Sequence, residues 1–234
     1  MQKVLCVFGT RPDAIKMAPV VLELKRRPDE FAVKVAVTGQ QREMLDQVLA
    51  VFGIVPDYDL NIMTQRQTLA QITTRSLEGL DPILAQEKPD WVLAQGDTTT
   101  TFVASLAAFY HRIAFGHVEA GLRTGQMYDP FPEEMNRVLT ARLARLHFAP
   151  TPEAADNLRR EGIGEDAIVL CGNTVIDALL QAAAQDYAPS DPVLQDILAD
   201  PRRMLLITAH RRENWGEPMA RIGQAVRAIV DAHS

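Results

Sequence analysis

Cysteine is scarce in this chain, aromatic residues are few and long apolar runs are missing: among 234 residues there are 2 Cys, and Phe, Trp and Tyr make up 6%. Two thiols cannot build the disulfide framework on which small secreted domains depend. Cys6 and Cys171 each lie in an apolar stretch, VLCVF and AIVLCG, so both are expected as reduced core residues packing as small hydrophobes. The longest stretch free of formal charge, residues 98–111, opens with four threonines and falls short of the roughly 18 apolar residues that a bilayer span needs. No membrane span is expected. The opening MQKVLCVFGTRP lacks the length and small-residue cleavage site of a signal peptide, which points to a cytoplasmic protein. Basic charge is also in deficit, with 24 Lys and Arg against 30 Asp and Glu and a net charge of −6. Nucleic acid and anionic membranes are therefore not expected as partners, because binding them takes a basic face that releases counterions from phosphates.

What the chain does have is 47% hydrophobic residues and the length to bury a core without disulfides. At roughly 150 residues per domain it holds one large domain or one and a half. Strand and helix patterns alternate from the start. Apolar runs at 3–8, 31–37, 91–95, 113–118, 146–149 and 167–171 read as strands, and helical spacing marks 14–27, 42–52, 68–86, 98–110, 132–144 and 152–161. Strands apolar on both faces and alternating with helices predict an α/β fold, a doubly wound parallel sheet of the Rossmann-like kind, over residues 1–172. Residues 173–203 read as a helix and a linker containing Pro189, Pro192 and Pro201. A strand at 204–208 and a helix at 218–232 then predict the beginning of a second Rossmann-like domain in 204–234. One strand and one helix cannot close a core alone.

In an open parallel sheet the ligand sits beyond the carboxyl ends of the strands, so the residues after each strand are the first place to look for chemistry. After the first strand comes Gly9-Thr10-Arg11-Pro12-Asp13-Ala14-Ile15-Lys16, a Gly turn entering a helix. Free N–H groups, the helix dipole and two cations favour a phosphate there; a solvated turn with surface cations is the plainer alternative. In Gln95-Gly96-Asp97-Thr98, Asp97 is equally suited to capping the next helix and to catalysis. His117-Val118-Glu119-Ala120-Gly121-Leu122-Arg123 follows the next strand, and Pro132-Glu133-Glu134-Met135-Asn136-Arg137 opens another helix. Glu133 and Arg137 have i,i+4 spacing, and an ion pair alone would account for them. Three acids at adjacent strand ends also suit acid/base work, since mutual repulsion and partial desolvation let one carboxyl keep a proton that its neighbour gives up. In Thr208-Ala209-His210-Arg211-Arg212 the His is most simply structural, whereas a His-Arg-Arg cluster in an acidic chain points to an anion. Two decoys are set aside. Gly162-Ile163-Gly164-Glu165-Asp166-Ala167 has a dinucleotide-like spacing but follows a helix and precedes a strand, and His117-Val118-Glu119 imitates a zinc deaminase without its Cys pair. No metal site is expected.

Together GTRPDAIKMAP, TGQQREMLDQV, QGDTTTT, HVEAGLRTG, PFPEEMNR and TAHRREN closely resemble, in order and spacing, the non-hydrolysing UDP-N-acetylglucosamine 2-epimerases. The resemblance implies two facing Rossmann-like domains of the type B glycosyltransferase kind, in a homodimer longer per chain than this sequence. It implies a UDP-sugar substrate, no cofactor, no essential metal and a place in cell-envelope polysaccharide biosynthesis. The implied reaction interconverts UDP-GlcNAc and UDP-ManNAc by anti elimination of UDP, through 2-acetamidoglucal, and re-addition. Carried over by motif, Asp97, Glu119 and Glu133 are the acid/base carboxylates and His210 lies close to the departing phosphate. Arg11 and Lys16 contact the nucleotide or its phosphates, Arg137 orients Glu133, and Arg123 is a further cation at the strand ends. Gln40, Glu43, Arg66 and Arg211 fall where some bacterial members bind a second UDP-GlcNAc as activator. Asp13 and Gln41 stand where many members have Glu and His. Two other readings are a modified UDP-sugar as substrate and a nucleotide-binding fragment without turnover.

Overall fold

The apolar runs assemble into one sheet whose central strands are buried on both faces. The computed structural model describes residues 1–39, 42–64, 66–186, 188–189, 191–209 and 215–233, and the chain divides into two units, Met1–Gln185 and Asp186–Ser234. In the first unit lie β1 (Gln2–Phe8), β2 (Phe31–Val37), β3 (Tyr58–Asp59), β4 (Trp91–Gln95), β5 (Ala114–Val118), β6 (Leu146–Ala149) and β7 (Ile168–Leu170). They pair in the order β3-β2-β1-β4-β5-β6-β7, and every pair is parallel. The order runs outward one way from β1 and the other way from β4. A crevice therefore opens between the carboxyl ends of those two strands.

The helices of this unit are α1 (Arg11–Lys25), α2 (Arg42–Val51), α3 (Leu69–Glu87), α4 (Thr99–Tyr110), α5 (Glu133–Leu143), α6 (Pro152–Arg160) and α7 (Thr174–Ala183). Period-two alternation along β1 sends Val4, Cys6 and Phe8 to one face, against Met17 and Val21 of α1 and Leu45 of α2. Leu5 and Val7 go to the other, against Leu80 and Leu84 of α3 and Val103 of α4. Each such side chain contributes roughly 1.5–3 kcal/mol by leaving water, which is why both faces of the central strand are apolar. Burial also pushes the Cys6 thiol up to about 12, and it is a core residue as expected. Cys171, by contrast, is exposed, because β7 ends at Leu170 on the edge of the sheet.

Three local features depart from the sequence reading. β3 is a two-residue edge strand with too few residues to show an alternation. Within the segment read as linker, α8 (Pro192–Ala199) forms because Asp191 accepts hydrogen bonds from the Val193 and Leu194 amides, at 2.8 and 3.2 Å, and Pro192 is preset for the first turn. Residues 204–208 form no strand; in the unit that begins at Asp186 they have no described strand to pair with, and only α9 (Glu217–His233) follows. Among the described residues no helix is long and apolar enough to cross a membrane.

Two polar choices inside the first unit are testable. His117 and His147 are register partners on β5 and β6, almost without exposure, and burial lowers their pKa values to about 3 and about 4. The unfolded chain binds protons at these histidines near the ordinary value of about 6.5, before the folded chain does, so stability is full above that pH and falls as pH drops toward 4. Buried Asp13, whose carboxyl is raised, works the other way and offsets part of the loss. Urea unfolding at about pH 7 and about pH 4.5 should show a loss on the order of a few kcal/mol; equal stability at both would contradict neutral, buried imidazoles. Gly121 has φ +90, and a Cβ there would meet the Ala154 carbonyl oxygen at 2.2 Å; Gly125 has φ +75 with nothing nearby. Gly121→Ala is expected to cost about 2 kcal/mol more than Gly125→Ala, read as a lower melting midpoint, and equal melting would show that the close approach does not matter.

Candidate functional site

The β1–α1 turn brings backbone and two neighbouring loops into contact. A Cβ on Gly9 would lie 2.1 Å from the Thr38 hydroxyl and 2.5 Å from that of Thr100, so only glycine fits between β1 and these side chains. Asp13, buried in the first turn of α1, accepts from the amides of Gly9 and Thr10, both at 3.2 Å, and from the hydroxyls of Thr10 and Thr98. Burial nevertheless raises its carboxyl above the usual range. The shorter acid at this position thus ties the β1 turn to the β4 turn. Arg11 is exposed at the same helix N-terminus and makes no hydrogen bond or ion pair among the described residues.

Glu119 is the most constrained acid of the crevice. It follows β5 with φ +61, a left-handed backbone that costs a non-glycine residue free energy and persists only where its surroundings hold it. Three donors do so. Lys16 Nζ reaches the carboxylate at 2.7 Å, Gln95 Nε2 donates to Oε1 at 2.8 Å and Asn173 Nδ2 donates to Oε2 at 2.7 Å. The donors come from α1, β4 and the start of α7. The pair is only partly exposed, and both carboxylate oxygens are satisfied. Beneath it, His117 Nε2 lies 2.7 Å from the Gly96 carbonyl; since a carbonyl only accepts, the neutral imidazole carries its proton on Nε2.

Asp97 does not cap α4. Thr98 does, accepting from the Thr101 amide at 3.3 Å, and this leaves the Asp97 carboxylate facing Arg137 at 2.5 Å. Asn136 Nδ2 holds the Asp97 carbonyl at 2.9 Å. Arg137 does not pair with Glu133, its i−4 neighbour. Its second partner is Glu134 at 3.4 Å, a buried carboxylate that also accepts from the amides of Thr124 and Gly125. Glu133 is the first residue of α5, partly exposed, and its side chain makes no hydrogen bond among the described residues. Arg123 is not free for an anion, because Glu161 takes it in a two-bond pair at 2.6 and 2.9 Å.

The sheet thus brings Lys16, Glu119, Gln95 and Asn173 together in one cluster and Asp97, Arg137 and Glu134 in another. The Gly96–Asp97 turn joins the two. Glu43 and Arg66 are exposed and make no polar contact among the described residues. Gln40, Gln41, His210 and Arg211 lie outside the described residues. Sequence reading missed Gln95, Asn173 and Glu134. Asn173 carried a usable signal, since Cys171-Gly172-Asn173 follows β7 as the other site residues follow their strands. The arrangement presents a lined-up cation and carboxylates beside a helix N-terminus, which suits a substrate bearing an anion next to an acid/base reaction centre. Among the described residues no three His, Cys, Asp or Glu side chains have the grouping of a metal centre.

Comparison with known proteins identifies the family. The UDP-N-acetylglucosamine 2-epimerase family profile matches residues 22–234. The UDP-N-acetylglucosamine 2-epimerase of Bacillus subtilis is 59% identical over 228 residues, 97% of this chain and 59% of that protein. Among solved structures, the S. aureus MnaA–UDP co-structure superposes with a TM-score of 0.84 at 49% identity, covering 99% of this chain and 60% of that one. The Neisseria meningitidis UDP-GlcNAc 2-epimerase bound to UDP-GlcNAc gives 0.73 at 58% identity, over 76% of this chain and 48% of that one. The chain spans about three fifths of the length of the curated relatives it matches. Its sheet order, its strand-end acids and this match over nearly its whole length make it a member of the UDP-N-acetylglucosamine 2-epimerase family.

Proposed function

We propose that this chain carries the acid/base half of a UDP-N-acetylglucosamine 2-epimerase that interconverts UDP-GlcNAc and UDP-ManNAc. The observation that carries the reading is the convergence of Lys16–Glu119 and Arg137–Asp97 on the crevice between β1 and β4. A weakly acidic C2–H needs a base held close, its return on the other face needs an acid, and departing UDP needs positive charge. A carboxylate takes the C2 proton, the C–H electron pair becomes the C1=C2 bond of 2-acetamidoglucal, and the C1–O bond to UDP breaks. Reversal with the proton delivered to the opposite face gives the epimer. Asp97, Glu119 and Glu133 share the proton transfers, and His210 assists at the leaving phosphate. Arg11, exposed at the N-terminus of α1, takes a phosphate oxygen, while Lys16 and Arg137 hold their carboxylates and add positive field for the diphosphate.

The same reading has the enzyme acting in the cytoplasm as a homodimer, without cofactor or metal, and supplying an amino-sugar nucleotide for cell-envelope polysaccharide. Gln40, Glu43, Arg66 and Arg211 are carried over from the family motifs as candidate residues for an activating second UDP-sugar. A second reading is that the 234-residue chain, assayed by itself, binds nucleotide without turnover.

Incubation with UDP-GlcNAc in deuterated water separates the two. The epimerase incorporates deuterium at C2, whereas the binding fragment binds UDP and incorporates none. Asp97→Asn and Glu133→Gln are each expected to slow incorporation by about a hundredfold or more while UDP affinity stays within about threefold. Near-normal incorporation by both variants would contradict the carboxylate assignment.

A further inference from the structure

Asn173 contacts the crevice from a distant part of the chain, and its geometry leaves it one orientation. It is the N-cap of α7: its Oδ1 accepts the Val175 amide at 3.0 Å. With the oxygen engaged there, the amide nitrogen must face away from the helix, and it donates to Glu119 Oε2 at 2.7 Å. α7 packs against α1, the helix that brings Lys16 to the same carboxylate. Two helices in contact thus supply two of the three donors on Glu119, and β4 supplies the third through Gln95.

We propose that Asn173 is a positioning residue for the epimerisation, fixing the rotation of the Glu119 carboxylate so that it meets the sugar in one orientation; this rests on the reading of Glu119 as an acid/base group. A carboxylate turns easily about its terminal bond, and Lys16, a flexible point charge touching both oxygens, restrains that rotation weakly. The planar amide of Asn173, immobilised by its own cap, restrains it directionally. The left-handed backbone of Glu119 points the same way, since such strain persists where a side chain must be aimed.

The cap and the aim can be separated by substitution. Asn173→Ser and Asn173→Asp both keep an oxygen to cap α7; the serine hydroxyl is too short to replace the amide nitrogen on Glu119, and the aspartate has no donor and sets a second carboxylate against it. The melting midpoint of Asn173→Ser is expected within about 5 °C of the unsubstituted chain, because the cap is kept and only one hydrogen bond is lost, and that of Asn173→Asp lower, because two carboxylates then face each other. C2 deuterium exchange should then show kcat lowered about ten- to hundredfold with KM within about threefold, the loss of one charge-assisted hydrogen bond. Unchanged kcat in both variants overturns the proposal, as does a loss of kcat in Asn173→Ser that only tracks a loss of melting temperature. The contact is also read without turnover, from the Asn173 side-chain amide protons in the chain's NMR spectrum. Glu119→Ala should shift them upfield, and unmoved resonances overturn the proposal. If the unsubstituted chain exchanges no deuterium, the reaction assigned to it fails, and the amide resonances alone decide whether Asn173 holds Glu119.

Discussion

The Glu119 carboxylate is the interaction on which the crevice depends. It is the point where three separate stretches of chain, at Lys16, Gln95 and Asn173, meet the end of β5. Each donor is fixed by its own local structure: Lys16 by the helix that follows β1, Gln95 by the last rung of β4, Asn173 by its cap on α7. A carboxylate with so little exposure persists only if both oxygens are paired, so the ion pair and the two amides are one unit rather than three contacts. The left-handed φ of Glu119 is tolerated for the same reason.

A parallel sheet makes this meeting geometrically available. When all strands run the same way, their carboxyl ends lie on one edge, and residues far apart in sequence become neighbours there. The reversal of strand order between β1 and β4 spreads the flanking helices apart at that edge and leaves the gap in which Arg11, Asp97 and Glu119 sit. Below that edge the central strands are buried. Thr98 donates to Asp13 and so joins the β4 turn to the β1 turn, His117 on β5 holds the Gly96 carbonyl, and Thr101 closes the β4–α4 turn on the Gln95 carbonyl.

Much of this was legible in the sequence, for physical reasons that also mark where legibility stopped. Strands buried on both faces announce themselves as continuous apolar runs, so six of the seven strands were placed and the parallel sheet followed. β3, two residues long at an edge, carries no such signal. The strand-end rule located Lys16, Asp97 and Glu119, because it depends only on topology. Choice of partner was another matter. Spacing alone offered Glu133 to Arg137, whereas the fold gives it Asp97 and Glu134, the latter held by the amides of Thr124 and Gly125, ten and nine residues upstream. Arg123 likewise follows a strand as the site cations do, yet the C-terminal end of α6 presents Glu161 to it first. Asn173 escaped notice because an amide has no charge to draw attention, although its place after β7 obeys the same rule as the acids.

The central claim is that the carboxyl edge between β1 and β4 is where this chain meets a sugar nucleotide. The most direct test is to titrate the isotope-labelled 234-residue chain with UDP-GlcNAc and map the amide resonances that move. The account predicts that the largest shifts fall on Gly9, Arg11, Gly96, Asp97 and Glu119, at the ends of three neighbouring strands. Shifts confined to the opposite edge of the sheet, or spread thinly over the helices with those five unmoved, would contradict it.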